Sequence, residues 1–244
     1  MTDAVETTVG GKEKYMRIQG LQKLTLLDYP GRTACTVFLS GCNFRCPFCH
    51  NAPLLTAASE DGMDEDELLA FLKKRRGLLD GVAVTGGEPL LRPDLPRMLE
   101  KIKALGYAVK LDTNGAFPDR LEAVVCAGLA DYVAMDIKIS PARYAETVGV
   151  PGLDLTPVLR SVSFLLSDIV NYEFRTTAVA ELHDDTSFAQ MGDWLAGARR
   201  YYIQRFQPRD TVLRAGLSAP SEMRLHCWAE LVRPKIPAVE IRGM

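Results

Sequence analysis

The chain has 244 residues, 47% of them hydrophobic and 25% charged, with a formal net charge of −2 and a pI near 6.0. That length supports one substantial core, and so small a charge offers no footprint for nucleic acid or an anionic membrane. No run of about 18 apolar residues occurs and residues 1–13 are polar, so neither a membrane span nor a secretion signal is expected; the location implied is cytoplasmic, where six cysteines are free thiols or metal ligands.

Residues 1–13 read as a flexible tail and 14–244 as a single domain. Alternation over 16–27 gives one or two short strands ending in the turn Asp28-Tyr29-Pro30-Gly31. A β-branched, apolar run predicts the first main strand over 34–40, which feeds a loop reaching about residue 59. So long a loop inside a compact domain is functional or disordered. It carries Cys42, Cys46 and Cys49, spaced C-x3-C-x2-C. Three thiolates so placed can meet at one inorganic centre, and a cubane of four irons would keep one iron without a protein ligand. Three other chemistries use the same residues. Zinc would take His50 as its fourth ligand, a c-type haem would use Cys46-Pro47-Phe48-Cys49-His50 and leave Cys42 idle, and a disulfide would need an oxidising compartment. Cys35, Cys126 and Cys227 are expected to be small packed residues.

Asp64, with Glu67 three residues on, predicts a capping box for the first helix; Leu68, Leu69 and Leu72 give its apolar face. The basic run Lys73-Lys74-Arg75-Arg76 suits a solvated helix end, where cations complement the dipole. Further strands are predicted over 81–85, 108–112, 132–137, 172–179 and 201–206, and helices over 93–105, 119–127, 157–166 and 187–199. A less regular stretch covers 141–154, and a helix over 221–232 and a short strand over 239–241 end the chain. Strand–helix alternation implies parallel strands joined by right-handed crossovers, with ligands bound at the strands' carboxyl ends. The motifs fall there: cysteines after the first of these strands, Gly86-Gly87-Glu88 after the second, Asp112-Thr113-Asn114-Gly115 after the third and Asp136-Ile137-Lys138 at the end of the fourth. Two glycines let a ligand approach the backbone and Glu88 offers an acceptor to an amine, while Asp112 to Gly115 also reads as a capped turn. His183 and His226 read as structural or surface residues.

Taken together, the three cysteines and Val84-Thr85-Gly86-Gly87-Glu88-Pro89 resemble the radical S-adenosylmethionine (radical SAM) superfamily. More narrowly, Asp28 to Gly31, Phe38 to Asn51, Asp112 to Gly115 and Asp136 to Lys138 are similar to activases of glycyl radical enzymes, in particular the anaerobic ribonucleoside-triphosphate reductase activating type, over about residues 16–242. The resemblance implies an α/β fold, a single-domain partial (β/α)6 barrel with parallel strands; a doubly wound flat sheet is the alternative. It implies a [4Fe–4S] cluster on Cys42, Cys46 and Cys49, and S-adenosylmethionine whose methionyl ammonium is held by Gly86, Gly87 and Glu88. Phe48 would lie beside the adenine, with His50 next to it. Asp112, Thr113 and Asp136 would line a monovalent-cation site, with Asn114 in the same motif, and Lys138 would lie near the cofactor. Arg175 would be a cofactor contact or half of a strand-face ion pair. Asp28 matches an acidic residue near the active site, although Tyr29 follows it where the pyruvate formate-lyase activase has Gly. No other catalytic side chain is implied.

The implied activity is reductive cleavage of S-adenosylmethionine and removal of hydrogen from a glycine of a partner glycyl radical enzyme, an anaerobic ribonucleotide reductase, with a flavodoxin or ferredoxin as electron donor. The rivals are a radical SAM enzyme acting on a small molecule and a non-catalytic iron–sulfur protein.

Overall fold

A short connection decides how the sheet begins. β1 (Ile18–Thr25) and β2 (Ala34–Leu39) are linked through residues 26–33, too few for a crossover, so they pair antiparallel with Thr25 opposite Ala34 and Ile18 opposite Leu39. The computed structural model describes residues 17–55 and 62–244; the expected tail over 1–13 and the far end of the cysteine loop, 56–61, lie outside the described residues.

Every later strand is reached by a long crossover. β3 (Gly81–Gly86), β4 (Ala108–Thr113), β5 (Tyr132–Asp136), β6 (Asn171–Ala178), β7 (Tyr201–Arg205) and β8 (Val239–Arg242) each pair parallel to the strand before, so strand order follows chain order from β1 to β8. A doubly wound sheet reverses its order part-way, and that alternative is excluded. The expected six parallel strands are β2 to β7. The strand expected over 16–27 joins one edge as the antiparallel β1, and the short strand expected over 239–241 joins the other as β8, a seventh parallel strand.

The helices are α1 (Glu65–Lys74), α2 (Leu95–Ala104), α3 (Pro118–Cys126), α4 (Tyr144–Thr147), α5 (Thr156–Leu166), α6 (Asp185–Trp194) and α7 (Glu222–Val232). The capping box of α1 forms as its sequence predicts, the Glu67 amide donating to Asp64 Oδ1 at 2.8 Å and the Asp64 amide to Glu67 Oε2 at 2.9 Å. α6 starts before the expected residue 187 because Asp184 caps it through Ser187, and it stops short of 199, ahead of Gly197 at φ 87°. Within the irregular stretch, α4 is a single turn.

Alternate strand residues go two ways. Cys35, Val37 and Leu39 of β2, Val82 and Val84 of β3 and Val109 and Leu111 of β4 join the helices' Leu68, Met98, Ile102, Leu121 and Val124 in one apolar core. On the other face Thr36, Phe38, Thr85 and Asp112 line a cavity that Asp136, Arg175 and Gln204 also reach. β2 and β7 lie five strands apart, about 24 Å in a flat sheet. Walls of one cavity of ≈ 330 Å³ can come from both only if the sheet curls into a part-closed barrel.

Two cysteine expectations need correction. Cys35 is buried as expected, but Cys126 and Cys227 are exposed, because Leu121, Val124 and Val125 on α3 and Leu225, Trp228 and Ala229 on α7 take the core-facing positions. His183 is buried, its ring nitrogens at 3.1 Å from the Val179 amide nitrogen and 3.0 Å from the Lys138 carbonyl; His226 is exposed. No helix among the described residues is long and apolar enough to cross a membrane.

Candidate active site

The cavity opens at the carboxyl ends of the parallel strands, where the β2–α1 loop folds over. That loop is pinned at several points: the Gly41 amide donates to the Leu54 carbonyl (2.7 Å), the Arg45 amide to Val148 (2.8 Å) and the Arg214 amide to Pro47 (3.0 Å). The Arg45 guanidinium closes the first turn on the Cys42 and Phe44 carbonyls at 2.6 and 2.8 Å. Phe44 is buried edge-on against Tyr144, and Phe48 against His183 with ring centroids 6.4 Å apart. His50 stacks on Phe206 at 5.2 Å and sits 2.9 Å from the Gln207 carbonyl; burial holds its pKa below the ordinary histidine value.

Cys42, Cys46 and Cys49 all line the cavity. Among the described residues no three His, Cys, Asp or Glu side chains are close enough to hold a single ion, and no fourth cysteine reaches this wall. Burial pushes all three thiols up, Cys46 to about 12, against the pull of Lys138. Burial thus disfavours free thiolates on this wall, and a bound cationic centre would offset that cost. Three thiols without a fourth suit a four-iron cluster with one open iron.

The Gly86-Gly87 turn forms the facing wall, with the backbone geometry that only glycine allows. A Cβ on Gly86, whose φ is 128°, would overlap the Leu39 backbone, and one on Gly87 would overlap the Gly41 carbonyl. The missing side chains let the turn close on the cysteine loop; Asn51 ties the two again by donating to the Gly86 carbonyl at 3.0 Å.

Glu88 is 1% exposed and stands behind the cavity wall. One carboxylate oxygen accepts from the Leu90 amide (3.0 Å) and the Thr113 hydroxyl (2.8 Å), the other from the Asn114 amide (2.6 Å). Burial raises its pKa to about 7 despite those three donors. The Asp112 to Gly115 stretch is the capped turn the sequence allowed, with the Gly115 amide on Thr113 Oγ1 and the Ala116 amide on Asn114 Oδ1; it is also a wall, since Asp112 and Asn114 line the cavity.

Asp112 and Asp136, expected with Thr113 around a monovalent cation, are paired with side-chain cations in this structure. Arg175 donates to Asp112 at 3.0 Å and to Asp136 at 2.5 Å; Lys110 pairs with Asp112, and Lys138 with Asp136 at 3.0 Å. Thr113 is turned to Glu88. Burial opposes the charge on both carboxyls, yet Arg175 with Lys110 and Lys138 holds them below the ordinary range. Burial likewise works against Lys138, and Asp136 with Cys46 outweighs it. Arg175 is thus both a wall of the cavity and half of two ion pairs. Asp28 lines the cavity and accepts from the Thr36 hydroxyl at 2.5 Å. Lys110, Asn43 and Gln204 were missed by the sequence reading. A lysine between Val109 and Leu111 in an apolar strand is the one signal that pointed to the first of them.

A family profile described as the radical SAM superfamily matches residues 36–167. A Methanocaldococcus jannaschii protein, named provisionally as a glycyl-radical enzyme activating enzyme, is 30% identical over 234 residues, spanning 92% of this chain and 95% of that one. A 7-carboxy-7-deazaguanine synthase of Koribacter versatilis is 31% identical over 165 residues, 66% of each chain. Among solved structures, a domain of a pyruvate-formate lyase-activating enzyme from Bacteroides vulgatus matches with a TM-score of 0.55 and 18% identity over 67% of this chain and 99% of that one, a likeness of fold.

Proposed function

Because this chain belongs to the radical SAM superfamily, we propose that it is the activase of a glycyl radical enzyme, holding a [4Fe–4S] cluster on Cys42, Cys46 and Cys49. The observation that carries the reading is the match to the M. jannaschii protein over nearly the whole of both chains. When bound, the reduced cluster and S-adenosylmethionine together supply reductive S–C5′ cleavage, and hence a carbon radical able to take hydrogen from a backbone glycine.

The protein's own part is to bind, orient and shield. The three cysteines anchor the cluster, and Lys138 beside them offsets the negative charge that thiolates bring to a buried wall. Gly86, Gly87 and Asn114 bound the space for the methionyl end, with Glu88 bracing that wall from behind. Phe48 and His50 bound the adenine side, and Arg175, Asp112 and Asp136 form the polar floor. Asp28, Phe38 and Gln204 are left for the substrate. By the motif resemblance the partner is an anaerobic ribonucleoside-triphosphate reductase and the electron donor a flavodoxin or ferredoxin, all cytoplasmic.

The test is anaerobic. Reconstituted, reduced protein with S-adenosylmethionine should release 5′-deoxyadenosine slowly alone and give a glycyl radical EPR doublet only when the partner enzyme is added. The similarity to a 7-carboxy-7-deazaguanine synthase favours a second reading, chemistry on a small molecule. No doublet with any glycyl radical enzyme of the same cell, together with stoichiometric 5′-deoxyadenosine driven by a metabolite, would establish it instead.

A further inference from the structure

We infer that Asn114 is a positioning residue that donates a hydrogen bond to the Cys42 sulfur, and that Glu88 holds it there, so that the pair sets the reduction potential of the cluster. The inference rests on the reading that Cys42 is a cluster ligand.

Asn114 lies 72 residues from Cys42 in sequence, and the β4–α3 turn brings its Nδ2 within 3.9 Å of Cys42 Sγ and 2.8 Å of Asn43 Oδ1. The orientation of its amide is not free. Asn114 Oδ1 accepts from the Ala116 backbone amide at 2.9 Å. Turning the amide over would set an NH2 against that N–H, a donor facing a donor, and a backbone N–H cannot reverse its role. The same flip would point an oxygen at a sulfur and at another amide oxygen. The NH2 group therefore faces Cys42.

Its backbone is fixed as firmly. The Asn114 amide donates at 2.6 Å to Glu88, a carboxylate that also grips Thr113 and Leu90. This gives the buried Glu88 a task that its place behind the wall would otherwise leave unexplained: it acts on Cys42 through Asn114. The Phe44 amide, 3.4 Å from the same sulfur, is a second donor.

Donors to a cluster's thiolate sulfur withdraw electron density and stabilise the reduced, more negative state, which raises the potential. The effect is stronger in a buried, low-dielectric wall. A capped turn serving the fold alone would not touch the potential.

The experiment is an EPR-monitored redox titration of reconstituted protein, with iron and sulfide content measured for each variant. Asn114→Ala should keep its iron and shift the midpoint down, on the order of a tenfold fall in the reduction equilibrium constant, or about 59 mV for a one-electron couple. Asn114→Asp, which turns a carboxylate to the sulfur, should shift it further down. Glu88→Ala frees Asn114 but also removes a carboxylate near Cys42, so it is read in the Asn114→Ala background: the double variant Glu88→Ala/Asn114→Ala should lie no lower than Asn114→Ala. Equal midpoints in wild type, Asn114→Ala and Asn114→Asp overturn the inference. Loss of the cluster in both Asn114 variants also overturns it, by assigning Asn114 to folding of the loop. Wild-type protein that takes up no cluster overturns the site reading beneath it.

Discussion

Replacing Arg175 by Met removes the charge that joins two carboxylates while keeping most of the side chain's volume. Arg175 is 14% exposed and donates one hydrogen bond to each of Asp112 and Asp136. Hydrogen bonds to charged groups contribute about 1.5–3 kcal/mol each, which would give ~3–6 kcal/mol for the two. Lys110 and Lys138 remain on the same carboxylates and soften the loss, so about 3 kcal/mol is expected, at the lower edge of what breaking a buried pair costs. The pH dependence has a definite sign. Both carboxyls titrate below their ordinary 3.8, so the stability they contribute is complete above that pH and is lost as pH falls through the depressed values. Urea unfolding followed by circular dichroism should therefore show a constant gap between wild type and variant from pH 7 to about 4, closing below that. A gap under ~1 kcal/mol at pH 7, or one that widens in acid, would refute the argument that Arg175 is the hub of this floor.

Cys42→Ala, Cys46→Ala and Cys49→Ala should each abolish uptake of about four irons and four sulfides, whereas Cys126→Ala and Cys227→Ala, on exposed helix faces, should not; chemical iron analysis decides. Gly86→Ala and Gly87→Ala should each destabilise the protein by ~2 kcal/mol or more, because the added methyl meets the Leu39 or Gly41 backbone. In a thermal melt that is a fall of at least ~4 °C, and an unchanged melt would mean the turn does not close on the loop as described. Glu88→Gln places an NH2 among three donors and should cost ~1–3 kcal/mol. By loosening the turn it should weaken S-adenosylmethionine binding on the order of tenfold, measured by isothermal titration on cluster-loaded protein.

What the sequence by itself determined were features whose causes lie within a few residues of one another. The apolar stripe and the Asp64–Glu67 box made α1 legible. Alternating apolar residues in strands separated by helices made a parallel sheet legible, and with it the meeting of four motifs at one mouth, since each follows the end of a strand. The antiparallel start was missed, because nothing in the pattern of 16–27 distinguishes a strand that turns back from one that crosses over.

Tertiary structure decided which groups answer one another. Glu88 reads in the sequence as an acceptor, and which groups donate to it, Thr113 and Asn114 on the neighbouring strand's turn, is visible only in the fold. The two glycines line the cavity, and what requires them to be glycine is the Leu39 and Gly41 backbone packed where a Cβ would stand. Asp112 and Asp136 carry ion pairs to Lys110, Lys138 and Arg175. Lys110 and Lys138 stand only two residues from the carboxylates they pair with, but Arg175 reaches Asp136 from the adjacent strand and Asp112 from one strand further on, and that register belongs to the folded sheet rather than to any local stretch of chain.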